Sequence, residues 1–351
     1  MSKPAYEFRG NAYRSLVELE PWIAARQEPI LEPELPIIDP HHHVWDGERG
    51  RYLVDELAAD VNTGHNILAT VFIEAGAMYR ARGPEAMQPV GEVEFVNGIA
   101  AMSASGHYGK AQLCAGIVGH ADLTLGDRVQ SVLEALVAAG NGRFRGIRHG
   151  VTWDTGNAAR FGRRQVPRHQ VLDPMFQQGF ARLEPMGLSF ESWQFHPQLP
   201  DLVQLLNKFP QTNVILNHVG GLLGIPPHDD DRKAVFDIWR TNIREVAQFP
   251  NVSVKLGGLA MLYCGWDFHL RDIAPGSKEL AEAWKPYIEA CIAAFGPARC
   301  MMESNFPVDK QSCGYAVLWN AMKRITAGYS AREKAALYKD TAARVYRLEV
   351  E

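Results

Sequence analysis

The sequence predicts an α/β fold of the (β/α)8 TIM-barrel class, and three observations carry that expectation. From Pro36 to the C-terminus, apolar β-branched runs alternate with helix-like segments. Such alternation implies a parallel sheet with helical crossovers. Eight runs are found in about 310 residues, where a barrel of this kind takes ~250 residues plus insertions. Nearly every run also ends in a titratable or coordinating residue, and the C-terminal ends of the strands are where such a barrel places its chemistry. A doubly wound open sheet is the structural rival.

Taken in order, residues 1–35 read as a polar N-terminal extension, with a short helix over Leu16–Gln27 around Trp22. Pro29, Pro33 and Pro36 then hold the chain extended. The expected strands are Pro36–His43, Ile67–Gly76, Gln112–His120, Phe144–Gly150, Leu188–Trp193, Asn213–Gly220, Val252–Gly257 and Cys300–Pro307. The expected helices are Leu53–Ala59, Val90–Ala104, Asp127–Ala139, Asp173–Met186, Leu199–Phe209, Arg232–Phe249, Lys278–Phe295 and a final pair near Gly314–Ala327 and Ala331–Tyr346. Leu202, Leu205, Leu206 and Phe209 recur at helical spacing, as do Val235, Ile238, Trp239 and Ile243. No repeat, low-complexity tract or linker divides residues 36–351, so one barrel domain is expected after the extension.

The composition narrows the function classes. With 46% hydrophobic residues in 351, a large core can form. The net charge is −4 and the charges are interspersed, whereas nucleic acid and anionic membrane require a concentrated basic surface. No apolar run approaches the ~20 residues of a membrane span, and the first residues lack the apolar core of a signal peptide. Five widely spaced cysteines without a Cys-x-x-Cys suit a reduced compartment. The expectation is a cytoplasmic protein acting on a small molecule, with no nucleic-acid or membrane partner. A homo-oligomer is compatible with this composition.

The richest stretch is Ile37-Ile38-Asp39-Pro40-His41-His42-His43. Alternate side chains of a strand share a face, so Asp39, His41 and His43 should point one way and His42 the other. Two imidazoles two residues apart on a strand can hold one divalent ion. The other run ends supply Glu74, His120, Arg148, His149, Glu191, Gln194, His196, Asn217, His218, Lys255, Glu303 and Asn305.

Five stretches in order resemble the amidohydrolase superfamily: Asp39-Pro40-His41-His42-His43 and the runs from Phe144 to His149, from Ile215 to Gly221 (with Asn217-His218-Val219-Gly220-Gly221), from Asn251 to Gly258 (with Lys255-Leu256-Gly257-Gly258) and from Arg299 to Val308 (with Glu303-Ser304-Asn305-Phe306-Pro307). More narrowly, the chain is similar to the amidohydrolase-related branch that contains lactonases and lies near the metal-dependent non-oxidative decarboxylases. The resemblance implies a (β/α)8 barrel with a hydrolytic or decarboxylating site at its mouth. It implies that His41 and His43 are metal ligands, that His218 is a ligand or acid/base, that His196 is a further ligand, and that Arg148 contacts a substrate carboxylate. Strand eight departs from the pattern. The family has Ser-Asp-Trp-Pro where this chain has Ser304-Asn305-Phe306-Pro307. An amide can orient water but cannot accept its proton, which leaves Glu303, Glu74 and His218 as alternative bases.

Several residues have a plainer reading beside the functional one. Lys255 can contact substrate or form a buried ion pair, and Glu303 and Glu74 can be interior acids paired with it or with an arginine. Arg160, Arg163, Arg164, Arg168 and His169 form either a clamp for an anionic substrate or a solvated loop. The aromatic stretch from Met261 to His269, with Trp266, is either a wall for a ring-containing substrate or loop packing. Together with His149 beside Arg148, these are the expected substrate-binding residues. The function expected is a hydrolase that opens a lactone or related cyclic ester or amide, using one Zn or Mn ion or acting without metal. The alternatives are decarboxylation of an aromatic or unsaturated acid, and a ligand-binding barrel without activity.

Overall fold

The computed structural model describes residues 13–47, 50–156, 158 and 166–350. Its main sheet comprises β1 (Pro36–His42), β2 (Asn66–Ile73), β3 (Gln112–Gly119), β4 (Phe144–Arg148), β5 (Ser189–Ser192), β6 (Val214–Leu216), β7 (Val252–Leu256) and β8 (Cys300–Met302). These are the eight expected runs, trimmed where the chain leaves the ladder. They pair in chain order, and each neighbouring pair is parallel. The Asn305 N–H donates to the His41 carbonyl at 2.9 Å and the His43 N–H to the Phe306 carbonyl at 2.8 Å. Those bonds join the end of β8 to β1, so the sheet is a barrel and the open-sheet rival is excluded.

The strands are buried on both faces, which is why they read as continuous apolar runs. β6 and β8 are buried along their whole length. Inside the barrel, Ile38, Val71, Ile73, Val118, Ile215 and Met301 pack with Tyr346 from the C-terminal helix. A larger apolar layer fills the space between strands and outer helices. The helix Arg232–Val246 turns Trp239, Ile243 and Val246 inward. Ile238 does not join that seam: it is 58% exposed, because one residue back from Trp239 is a rotation of about 100°.

The N-terminal helix, Leu16–Ala24, is docked on the loop after β7. The Trp22 indole N–H donates to the Arg271 carbonyl at 2.9 Å and Arg26 Nε donates to the Ala274 carbonyl at 2.9 Å. The five cysteines are buried and none forms a disulfide. Among the described residues no helix is long and apolar enough to cross a membrane.

Candidate active site

A cavity of about 480 Å³ opens at the C-terminal ends of the strands, lined by His43, Glu74, Arg148, Trp193, His218 and Asn305 among others. Below it, Glu303 joins two of the predicted histidines. His218 Nδ1 lies 2.7 Å from Glu303 Oε1, and His41 Nδ1 lies 2.8 Å from Glu303 Oε2. All three side chains are buried.

The local sequence makes room for this arrangement. A Cβ on Gly258 would fall 2.4 Å from His218 Nδ1, and one on Gly257 would fall 2.4 Å from Glu303 Cγ. The Lys255-Leu256-Gly257-Gly258 stretch is thus the space into which the pair fits. His218 and Val219 both adopt positive φ, 52° and 47°. That conformation is costly for a β-branched valine. The Trp239 indole N–H holds the turn by donating to the Val219 carbonyl at 2.7 Å.

Burial sets the protonation states. It lowers His218 well below the usual imidazole range, helped by the charges of Arg148 and Lys255. His41 is lowered in the same way, first by burial and then by Lys255. Burial raises the Glu303 carboxyl, while the charges of Lys255 and Arg148 oppose that rise and favour the carboxylate. Both rings are therefore neutral at pH 7. With its Nδ1 given to Glu303, His218 keeps Nε2 as its remaining nitrogen, and its ring stands edge-on to Trp193 on the cavity wall, with centroids 4.9 Å apart.

Arg148 spans the floor. Its Nε donates to Glu74 Oε1 at 2.8 Å, its Nη2 to the Glu74 carbonyl at 2.6 Å, and its Nη1 lies 3.2 Å from His41 Nε2. A guanidinium has five N–H groups, so one on each terminal nitrogen remains for substrate. The other predicted residues at the floor have structural partners. Asp39 accepts from the Ser304 backbone and hydroxyl at 3.0 and 2.5 Å and from the Tyr315 hydroxyl at 3.0 Å. It locks β1 to the end of β8, and burial raises it to about 6 against those hydrogen bonds. His42 turns away to Thr70 Oγ1 at 2.9 Å, as strand parity predicts. His43 bonds the Ile73 carbonyl through Nδ1 at 2.8 Å, which places the proton there and leaves Nε2 as an acceptor.

Other predicted residues lie elsewhere. His196 accepts from the Leu223 N–H at 3.2 Å and packs against His228, away from the His41–Glu303–His218 centre and outside the cavity lining. Lys255 is sealed inside the barrel against Glu191 at 2.9 Å, with its Nζ 3.4 Å from His41 Nδ1. Lys255 acts on the site through its charge rather than by contact with the cavity. Trp266 stacks under Arg232, 4.3 Å from ring centroid to guanidinium carbon, while Met261 and Tyr263 of the same stretch do line the cavity. His149 lines the opposite wall and accepts from the Leu123 N–H at 3.1 Å. Arg163, with Arg160 and Arg164, lies outside the described residues.

Sequence reasoning passed over Trp45, Tyr79, Asp122 and Trp193, which also line the cavity. Trp193 stood at the end of a predicted strand and could have been found there. Asp309 was passed over as well: it is buried, and it accepts a hydrogen bond from Asn305 Nδ2 at 2.7 Å.

The donor set fits a divalent ion. Among the described residues, His41, His218 and Glu303 form a group whose ligand atoms all lie within 4.8 Å of one another. Two neutral imidazoles and a carboxylate suit zinc or manganese. Glu303 Oε2 is buried without an aligned hydrogen-bond donor, although His41 Nδ1 is near it, and a cation would satisfy that oxygen. His43 is not in this group; its Nδ1 bonds the Ile73 carbonyl and its Nε2 is left as an acceptor on a residue that lines the cavity. Arg148 and Lys255 place two positive charges against His41, which oppose a further cation.

Residues 38–348 match the model of the amidohydrolase family, and the chain belongs to that family. It is an enzyme of the amidohydrolase superfamily. Among curated proteins it is 32% identical over 338 residues to the uncharacterized protein y4mH of Sinorhizobium fredii, covering 90% of this chain and 99% of that one. It is 27% identical over 325 residues to an L-fucono-1,5-lactonase of Burkholderia multivorans, covering 89% and 96%. A solved amidohydrolase from Burkholderia multivorans with bound zinc superposes with a TM-score of 0.67 at 25% identity, over 89% of this chain and 99% of that one.

Proposed function

We propose that this enzyme opens a small hydroxylated lactone by adding water to its carbonyl carbon. The observation that carries the reading is the 2.7 Å contact between Glu303 and His218 Nδ1, on a ring that forms part of the cavity wall. Glu303 fixes the tautomer, so the lone pair on His218 Nε2 is the base available to a water in the cavity. A histidine and carboxylate pair of this kind is a recurrent solution for general-base chemistry.

The reaction follows from these groups. His218 Nε2 takes a proton from water as the water oxygen bonds to the carbonyl carbon. The two unspent N–H groups of Arg148 stabilise the oxyanion that develops. The tetrahedral carbon then expels the ring oxygen, which takes the proton back from His218. Water and lactone have become one hydroxy acid, and the new carboxylate is left beside Arg148. An ion held by His41, His218 and Glu303 would supply polarisation of the carbonyl oxygen; a neutral imidazole has one lone pair, so His218 would serve either that ion or the proton transfer, and the steps described here are those of the side chains alone.

A lactone suits the walls. Trp45, Trp193 and Tyr263 offer flat apolar faces, while Glu74 and Asp122 bring carboxylates to the same cavity for hydroxyl groups. The similarity to an L-fucono-1,5-lactonase supports a sugar lactone over other cyclic esters.

The test is a panel of sugar 1,5- and 1,4-lactones, L-fucono-1,5-lactone among them, with acid release followed in weakly buffered indicator. The expected result is hydrolysis of at least one lactone, lost in His218→Asn. Release of CO2 from an aromatic or unsaturated acid, with no lactone hydrolysed, would overturn the reading in favour of decarboxylation.

A further inference from the structure

The departure at strand eight leads to a residue outside the cavity. We propose that Asp309 is a positioning residue that sets the hydrogen-bonding sense of Asn305, so that Asn305 presents an acceptor oxygen to the cavity. The inference rests on the lactonase reading above.

A side-chain amide has a carbonyl end and an NH2 end of nearly the same shape, and its partners decide which way it points. Asn305 lines the cavity. Its Nδ2 donates to Asp309 Oδ1 at 2.7 Å. Asp309 is 1% exposed, and its other oxygen, Oδ2, accepts from the Ala260 N–H at 3.1 Å. Both oxygens thus face donors: burial raises the Asp309 carboxyl, the hydrogen bonds from Asn305 and the Ala260 N–H oppose that rise and favour the carboxylate, and a carboxylate can only accept from them. The Asp309 N–H in turn donates to the Asn305 carbonyl at 3.2 Å. The Asn305 backbone is fixed independently by its N–H bond to His41.

The NH2 end of Asn305 is therefore committed to Asp309. Among the described residues no protein group donates to its Oδ1, and that oxygen is not among the buried unsatisfied atoms. The cavity meets an acceptor. An acceptor there can hold one hydrogen of the attacking water while His218 removes the other. A donor there would compete with Arg148 for the carbonyl oxygen and would leave the water unaligned. The carboxylate that strand eight lacks at position 305 is thus present four residues later, one layer back, where it orients the amide and does not touch substrate.

The consequence can be tested by exchanging the two side chains, using the lactone the parent hydrolyses. In Asp309→Asn, the new amide gives its carbonyl to Ala260 and its NH2 to residue 305. Asn305 must then turn its own carbonyl inward and show NH2 to the cavity. In Asn305→Asp, two carboxylates face each other in a buried site. In the exchange, Asn305→Asp with Asp309→Asn, residue 309 donates and residue 305 again shows an acceptor.

Misalignment of a reacting group on this scale costs ~10²-fold in rate. Each single variant is expected to lose about 30- to 100-fold in kcat, with KM within about threefold of the parent. The exchange is expected to recover to within about tenfold of the parent. Parental kcat in a folded Asp309→Asn variant, or a folded exchange variant no faster than either single, would overturn the proposal. If Asp309→Asn fails to fold, the exchange variant decides alone: active supports the proposal and inactive refutes it. A parent that hydrolyses no lactone would instead refute the lactonase reading, so the two failures are distinguishable.

Discussion

His218 and His196 are both buried imidazoles on loops at the mouth end of the barrel, and both were predicted from the sequence to serve the site. Their surroundings differ. His218 gives Nδ1 to Glu303 and lies on the cavity wall. His196 accepts from the Leu223 N–H and faces His228, which is itself held by Asp154 at 2.8 Å. The second cluster has the same residue types, but it joins the loops after β4, β5 and β6 instead of opening on the cavity. A histidine near a carboxylate is therefore not evidence of catalysis by type alone. What matters is which nitrogen remains and what that nitrogen faces.

The comparison is broken most directly at His218. His218→Asn is expected to lower kcat by about 10³-fold with little change in melting temperature, since general acid–base groups contribute 10²–10⁴-fold. Steady-state kinetics with a thermal melt check both parts. Because His218 is held well below the usual imidazole range, the parental rate is expected to persist well below pH 6.5. A free imidazole base would fail near that pH.

Gly258→Ala is a smaller and indirect perturbation. The added methyl would fall 2.4 Å from His218 Nδ1 at a φ of +64°. The variant is expected to lose about 1–3 kcal/mol of stability and about tenfold in kcat as the ring is pushed off Glu303. Denaturation and kinetics on the same preparation would show whether the two losses occur together.

His196→Gln sharpens the comparison from the other side. Activity is expected to stay within about twofold of the parent. Acid stability is where the change should be seen. Burial and the neighbouring His228 hold His196 at about 3, below its ordinary 6.5. Between those values the unfolded chain binds a proton that the folded chain does not. The group's stabilising contribution is complete above pH 6.5 and is lost as pH falls towards 3, at about 1.4 kcal/mol per pH unit. Between pH 7 and pH 5, the parent is therefore expected to lose about 2 kcal/mol more than the variant, as read by urea denaturation at the two pH values.

Much of the fold was legible because burial on both strand faces writes continuous apolar runs, and each run survived as a strand. Ile238 misled because periodicity marks a seam without fixing its width. Within the site, strand parity separated His41 and His43 from His42 but misplaced Asp39, because β1 shifts register between Asp39 and His42 and Asp39 turns to Ser304 and Tyr315. The glycine pair after β7 was visible, but its purpose was not, because clearance for His218 and Glu303 depends on contacts between β6, β7 and β8. The same limit hid Asp309. Its relation to Asn305 depends on a turn beyond the strand, where parity no longer says which way a side chain points. Lys255 and Trp266 had the right chemistry, but the register of β7 and the path of its loop place them behind the cavity wall.

The central claim is that His218 and Glu303 act as one unit, and a double-mutant cycle tests it most directly. His218→Asn, Glu303→Gln and the double variant would be compared in kcat/KM on one lactone. Residues that act as a unit are strongly non-additive, so the double variant is expected to be within about threefold of His218→Asn. Losses that multiply, each mutation costing the same whether or not the other is present, would contradict the claim.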